Sequence, residues 1–253
     1  MLPRRGDAID WDAVAASYHE HILSPFAPEM AGRNPVVDRL LATDPSLAVA
    51  DFGCGPGNLI PHVSGHLERL AGVDRSAPAL AIAAEVARAH GVAFESYPGD
   101  ILTIVLPRRF DVVVSVNAVL PPCRDDVVPL LTAMRGALEP DGRLLAILPS
   151  YDTTRYLRRL IGERDGEAAA QAWDESKKAD DRELLFADDG GTAQAYHSPA
   201  SMARELPKAG LRIVGEPVKV HYPWELAQRF GYGYFPDGRE EIWDWYVEAQ
   251  IAP

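Results

Sequence analysis

Apolar positions along the chain change period several times. Over residues 8 to 23, Trp11, Val14, Ala15, Tyr18 and Ile22 recur at three- and four-residue spacing. That spacing predicts an amphipathic helix, ended by Pro25 and Pro28. A second helix is predicted over Pro35–Leu41. From Ala48 onward, short apolar runs alternate with longer helical stretches. Strands are predicted at 48–52, 70–73, 92–96, 110–116 and 143–148. Helices are predicted between them, over 58–70, over 77–90, and from Asp125 or Asp126 to Leu138. Pro61 falls in a first turn, where its missing N–H costs little. Ser76 can cap the helix that starts at Ala77, and Gly91 can terminate it. The run from Phe110 to Val116 is apolar almost throughout, as in a parallel strand covered on both faces. Pro140-Asp141-Gly142 reads as a turn.

The alternation breaks at Ser150. Residues 151 to 190 read as helical segments rich in charge and alanine, and Thr192–His197 as a short extra strand. Ser198, Pro199 and Gly210 have the types that cap, start and close a helix. A long strand follows over Leu211–Tyr222, then a short helix over Trp224–Phe230. The tail fits two periods. Trp243, Trp245, Val247, Ala249 and Ile251 alternate with polar residues, whereas Ile242, Trp245, Tyr246 and Ala249 follow helical spacing.

Candidate chemistry concentrates between residues 49 and 75. The first strand ends in Asp51-Phe52-Gly53-Cys54-Gly55-Pro56-Gly57-Asn58, and the second in Val73-Asp74-Arg75. Glycines let the backbone turn tightly and approach a ligand closely. An acid closing the second strand can accept two hydrogen bonds from a ribose diol. A dinucleotide fingerprint requires Gly-x-Gly-x-x-Gly, but Asn58 occupies the third glycine position. The glycines here run Gly-x-Gly-x-Gly behind an acid. This resembles motif I of the class I S-adenosylmethionine (SAM)-dependent methyltransferases.

The resemblance covers residues 45 to 149 and 198 to 251. It implies an α/β fold: a seven-stranded, mostly parallel sheet with helices on both faces and an antiparallel last strand. That sheet needs a seventh member, so the tail is assigned to a strand. The organisation it implies is an N-terminal helical lid (1–44), a SAM-binding Rossmann-like core (45–149), a substrate-cap insert (150–197) that is helical after strand five, and the C-terminal part of the core sheet (198–253).

Carried over position by position, the resemblance implies that Gly53, Cys54, Gly55 and Gly57 face the methionine part of SAM. Asp51 shapes that loop or holds the cofactor ammonium, Asp74 grips the ribose, and Arg75 lines the adenosine. Asp100 and Ile101 meet the adenine, and Asn117 and Val119 follow strand four against the methionine segment. Tyr18, on the lid, reaches the cofactor carboxylate. Methyl transfer is an in-line displacement needing mainly alignment, and a base only if the acceptor must lose a proton. Histidine titrates in the useful range. His19 on the lid and His197 at the end of the insert are the catalytic candidates. Asn117-Ala118-Val119-Leu120-Pro121-Pro122-Cys123 departs from the Asn/Asp-Pro-Pro-Tyr/Phe signature of enzymes that methylate nucleobase or glutamine amino groups.

Composition narrows the partners. The formal net charge of −12 over 253 residues disfavours nucleic acid, which is bound through a basic face. No apolar run is long enough for a membrane helix, and no signal peptide follows Arg4 and Arg5. Two cysteines, far apart, suit a reducing cytoplasm without a disulfide. No metal site is expected. The insert and the aromatic-rich tail (Tyr222, Trp224, Phe230, Tyr232, Tyr234, Phe235) could wall a partly apolar acceptor pocket. The leading expectation is methyl transfer from SAM to an oxygen or nitrogen of a small molecule, with S-adenosylhomocysteine (SAH) as product. The alternatives are a SAM-binding partner or regulator without activity, a protein or RNA acceptor, and a nicotinamide-dependent oxidoreductase. Nothing in the sequence sets the oligomeric state.

Overall fold

The computed structural model describes residues 12, 15–17, 20, 22–187, 191–233, 235 and 238–253. A single sheet of seven strands organises them. Its parallel part comprises β1 (Val49–Phe52), β2 (Arg69–Asp74), β3 (Ala93–Pro98), β4 (Phe110–Val116) and β5 (Leu138–Leu148). A two-stranded hairpin, β6 (Leu185–Phe186) and β7 (Gln194–Ala195), stands apart from it. The sheet is completed by β8 (Leu211–His221) and β9 (Trp243–Ile251), in the order β3-β2-β1-β4-β5-β9-β8. β9 runs antiparallel between β5 and β8, with Ile147 opposite Tyr246 and Val214 opposite Glu248. The tail is therefore the strand that alternation suggested, with Trp243, Trp245, Val247 and Ala249 buried.

Among the described residues the α-helical segments are α1 (Pro35–Leu41), α2 (Ile60–Val63), α3 (Ala77–His90), α4 (Val127–Gly136), α5 (Tyr151–Asp165), α6 (Glu167–Ser176), α7 (Pro199–Lys208) and α8 (Trp224–Arg229). They form two cores, one on each face of the sheet. Val112 and Val114 of β4 join Leu40, Ile60, Ala83 and Leu157 in one core. Val113, one residue out of phase, joins Leu130, Met134, Met202 and Leu206 in the other. A central parallel strand buries both faces, which accounts for the unbroken apolar run from Phe110 to Val116.

Several predicted signals act as read. Ser76 Oγ accepts from Ala79 N, and Gly91 closes α3 with φ 71°. Ser198 and Ser201 form a reciprocal capping box at the start of α7. Other boundaries move. The helix predicted over 58–70 contracts to the single turn of α2, because Ser64 is extended (ψ 141°) and Gly65 takes φ 82°. Pro140-Asp141-Gly142 does not separate helix from strand. It lies inside β5 as an irregularity, where the register steps from Phe110–Leu138 to Val112–Arg143. Most of the predicted helix over residues 8–23 lies outside the described residues. Of its described residues, Asp12 and Glu20 are α-helical and Ala15–Ser17 form a 3-10 turn.

Candidate cofactor and acceptor cleft

The parallel strands all end on one side of the sheet, and the strand order reverses between β1 and β4. In open α/β sheets this switch point opens a crevice. A cavity of about 330 Å³ lies there. Its floor is built by the turn after β1. Gly53 N and Cys54 N both donate to Val73 O (2.7 and 3.2 Å), which stitches the turn to the end of β2. Gly53 has φ 79°, and a Cβ there would lie 2.3 Å from the Cβ of Ala118, so the β1 and β4 loops pass too closely for any side chain. Gly55 has φ 51° and nothing within 4 Å of a Cβ position, so its bare backbone faces the open cleft.

Asp74 completes the floor. Its Oδ2 accepts from Gly55 N at 2.8 Å and its Oδ1 from Ser76 N at 2.8 Å. One carboxylate thus fixes the glycine turn and the entry to α3. Each oxygen keeps acceptor capacity for a ligand hydroxyl. Asp51 lies beneath this loop, 4% exposed. Burial, reinforced by the nearby Asp74 charge, pushes its carboxyl up to about 7. No donor among the described residues partners its carboxylate. At the far wall, Asp100 Oδ1 accepts from Leu102 N at 2.9 Å in a tight turn after β3, and Ile101 stands beside it.

Of the residues singled out in the sequence, Gly53, Gly55, Asp74, Arg75, Asp100, Ile101 and Asn117 line this cavity. Asp51, Cys54, Gly57 and Val119 support it from behind. The Cys54 thiol is buried and its pKa is raised well above the ordinary value by that burial. Its Sγ packs where a Cβ on Gly72 would lie 2.8 Å away, so the side chain fills space between β1 and β2. Val119 is fully buried, and its carbonyl accepts a hydrogen bond from His197 Nε2 at 2.9 Å.

That bond decides what His197 does locally. The ring is 1% exposed and does not line the cavity. Burial, opposed by the Val119 hydrogen bond and assisted by the Arg124 charge, lowers its pKa to about 4. A carbonyl only accepts, so Nε2 carries the proton and the ring is neutral near pH 7. His197 therefore braces the loop after β4 rather than facing a ligand, at variance with the expectation of a catalytic base. Tyr18 and His19 lie outside the described residues. Ala15, close before them, does line the cavity.

The other end of the cleft draws on the insert, as the sequence suggested, whereas no described residue of the aromatic stretch from Tyr222 to Phe235 lines it. Leu120, Pro121 and Pro122 from the β4–α4 loop, Asp126 and Leu130, and Thr192 and Gln194 from the hairpin insert wall it. Ala195 N donates to Pro121 O at 2.8 Å, which docks the hairpin on that loop. Arg124 anchors the same corner: it grips Glu205 bidentately (2.7 and 2.8 Å) and donates to Tyr196 O. The sequence signal for this wall was the predicted strand over 192–197 beside two consecutive prolines, but neither identifies a lining residue. Among the described residues no group of three or more His, Cys, Asp or Glu could hold a metal ion, and no helix is long and apolar enough to cross a membrane.

Comparison with known proteins agrees with this geometry. Residues 49–142 match the family described as "Methyltransferase domain". Among solved structures, a methyltransferase from Streptomyces caelestis, CcbJ, superimposes with TM-score 0.62 at 17% identity, covering 96% of this chain and 97% of that one. DhpI, in a complex with SAM and HEP, gives TM-score 0.60 at 20% identity over 95% and 94% of the two chains. Magnesium protoporphyrin IX methyltransferase from Synechocystis PCC 6803, with bound SAH, gives 0.58 at 17% identity over 89% and 85%. No curated protein matches the sequence significantly.

Proposed function

We propose that the chain, whose residues 49–142 match a methyltransferase-domain family, is a class I SAM-dependent methyltransferase that methylates an oxygen or nitrogen of a small molecule. The observation that carries the reading is the Asp74–Gly55 bond beneath the open cleft at the β1–β4 switch. The residues present fit a nucleoside sulfonium. Asp74 has lone pairs for the ribose diol, and Gly55 leaves room for the chain joining ribose to sulfur. Asp100 and Ile101 offer an acceptor and an apolar face to a purine. Asp51, unpartnered and buried, offers a carboxylate to an ammonium group.

The bound cofactor supplies an activated methyl group whose leaving group is a neutral thioether. The chain's own residues then have three tasks. The glycine turn and Asp74 fix the ribose end, so that the sulfur is held at one position relative to the loop after β4. Leu120, Pro121, Pro122 and Leu130 exclude water from the approach, which strengthens the electrostatic contacts that remain. Thr192 and Gln194 offer neutral hydrogen-bonding groups to orient an acceptor without adding charge. Asp126 is the one carboxylate among the lining residues at this end.

A small acceptor is favoured because the hairpin insert, docked on Pro121, walls one end of the cleft. The formal charge of −12 argues against RNA. The Synechocystis neighbour, named for methylating magnesium protoporphyrin IX, points the same way, toward a small-molecule acceptor. The test is transfer of labelled methyl from SAM in a cell extract separated by size. The reading predicts label in the low-mass fraction. Label confined to protein or RNA, or no production of SAH, contradicts it.

A further inference from the structure

We propose that Asp244 and Tyr222 are a positioning pair that locks the Asn117 side-chain amide, so that its Oδ1 is aimed to accept a hydrogen bond from a ligand N–H or O–H. The inference rests on the cofactor reading above, but its two positioning residues, Tyr222 and Asp244, lie beyond the segment that the family matches.

Asp244 is the second residue of β9, level with the C-terminal end of β5. Its carboxylate joins four elements. Oδ2 accepts from the hydroxyl of Tyr222, at the end of β8, at 2.6 Å. The same oxygen accepts from Nδ2 of Asn117, just past β4, at 3.3 Å. Oδ1 accepts from Ser150 N at 3.2 Å, and Ser150 in turn caps α5 through Thr153 N at 3.1 Å. Tyr222 is 1% exposed, so its hydroxyl is held where Asp244 needs it.

An ionised carboxylate only accepts hydrogen bonds. Asn117 must therefore turn its NH₂ toward Asp244, since the flipped amide would set oxygen against oxygen. This leaves Oδ1 on the opposite side. That atom is buried and has no partner among the described residues. A buried acceptor left unsatisfied costs free energy, and such orphans mark places where a missing ligand is expected. The backbone supports the same reading. Asn117 has φ 52°, a left-handed conformation unusual for a residue with a side chain, and its N–H is tied to Ile147 O at 2.8 Å. The residue lines the cavity next to Ala118 and Gly53. A strained, doubly anchored amide with one free acceptor at the methionine end of the cleft is a built recognition element. The donor it fits is either the ammonium of the cofactor or the N–H or O–H of the methyl acceptor.

The experiment titrates SAH and 5′-methylthioadenosine into wild type, Asn117→Gly, Asp244→Asn and Tyr222→Phe. Methylthioadenosine keeps the nucleoside thioether and lacks the amino-acid part. Glycine accommodates the left-handed backbone, so Asn117→Gly removes the acceptor without adding strain. Asp244→Asn keeps the size but no longer dictates which way the Asn117 amide faces. If the cofactor ammonium is the donor, Asn117→Gly weakens SAH by about 10-fold, the size of one directed hydrogen bond. Asp244→Asn and Tyr222→Phe then weaken SAH by smaller factors, and methylthioadenosine binds all four proteins alike. If the methyl acceptor is the donor, both nucleosides bind all four alike. Label transfer from saturating SAM to the low-mass extract fraction then falls about 10-fold in Asn117→Gly and less in Asp244→Asn. Equal losses for both nucleosides, or unchanged binding together with unchanged transfer, overturn the inference. Wild-type protein that binds neither nucleoside removes the cofactor reading and this inference with it.

Discussion

Asp74 Oδ2 and Gly55 N are 2.8 Å apart, so the acid that closes β2 also holds the glycine turn that closes β1. The two strands are parallel neighbours, paired through Phe52–Val73. One carboxylate therefore organises the floor of the cleft before any ligand arrives.

Replacing that carboxylate separates its two duties. Asp74→Ala is expected to weaken SAH binding by about 1 to 3 kcal/mol, roughly 10- to 100-fold. Asp74→Asn should fare little better, because its Nδ2 either faces Gly55 N–H or leaves the ribose short of an acceptor. Calorimetry on both variants, with circular dichroism to confirm folding, checks the expectation. Wild-type affinity in a folded Asp74→Ala protein refutes the ribose assignment.

Asp51 makes the ligand-free protein sensitive to pH. In the unfolded chain its carboxyl titrates near 4, whereas in the folded chain burial and the Asp74 charge push it up to about 7. Between those values the folded state holds the extra proton. Stability conferred by Asp51 is thus present at low pH and declines as pH rises from about 4 to 7. Asp51→Asn should flatten that decline in thermal melts of the ligand-free protein. The same variant should weaken SAH, because the ammonium loses its carboxylate. A melt profile that keeps the wild-type slope contradicts the assignment.

His197 carries the opposite sign. Its pKa falls from about 6.5 unfolded to about 4 folded. The unfolded chain binds the extra proton between these values, so the stability His197 provides is complete above 6.5 and is lost as pH falls toward 4. His197→Gln, which can still donate to the Val119 carbonyl, should lose less thermal stability than His197→Ala. Neither variant should move the pH–rate profile of methyl transfer near neutrality. A shifted alkaline or acidic limb in both would restore His197 as a base.

Much of this arrangement is legible in the sequence because its signals are local. The Gly53-Cys54-Gly55-Pro56-Gly57 turn, the Ser76 cap and the Gly91 stop each act within a few residues, and all three appear where read. The tail needed a non-local argument, since Trp243–Ile251 fits both periods until a sheet supplies its neighbours. The α2 region misled because Pro61 suits a helix start, while the Ser64-Gly65 dipeptide, a turn signal within the predicted helix, was passed over. His197 looked like chemistry because a histidine carries no mark of burial. Its partners, Val119 and Glu205, are 78 residues upstream and 8 downstream. Asp244 was passed over because its partners lie just past the ends of β4, β5 and β8, and only the assembled sheet brings them together.

The Arg124–Glu205 pair should be costly to break. Both side chains are 11% exposed, so the Coulomb attraction is little screened and either charge alone would be stranded. Arg124→Ala is expected to destabilise by about 3 to 5 kcal/mol. It should also loosen the hairpin wall, since Arg124 additionally holds Tyr196 O. Denaturant unfolding measures the first effect, and proteolysis within 184–197 the second. A loss below about 1 kcal/mol would show that the corner is solvated in solution.

The central claim is that the crevice at the β1–β4 switch holds a SAM-type nucleoside. Isothermal titration of the wild-type protein with SAH, run beside NAD, measures it most directly. One SAH per chain, displaced by SAM, with no heat from NAD, is the predicted result. Saturable NAD binding without SAH binding would contradict it.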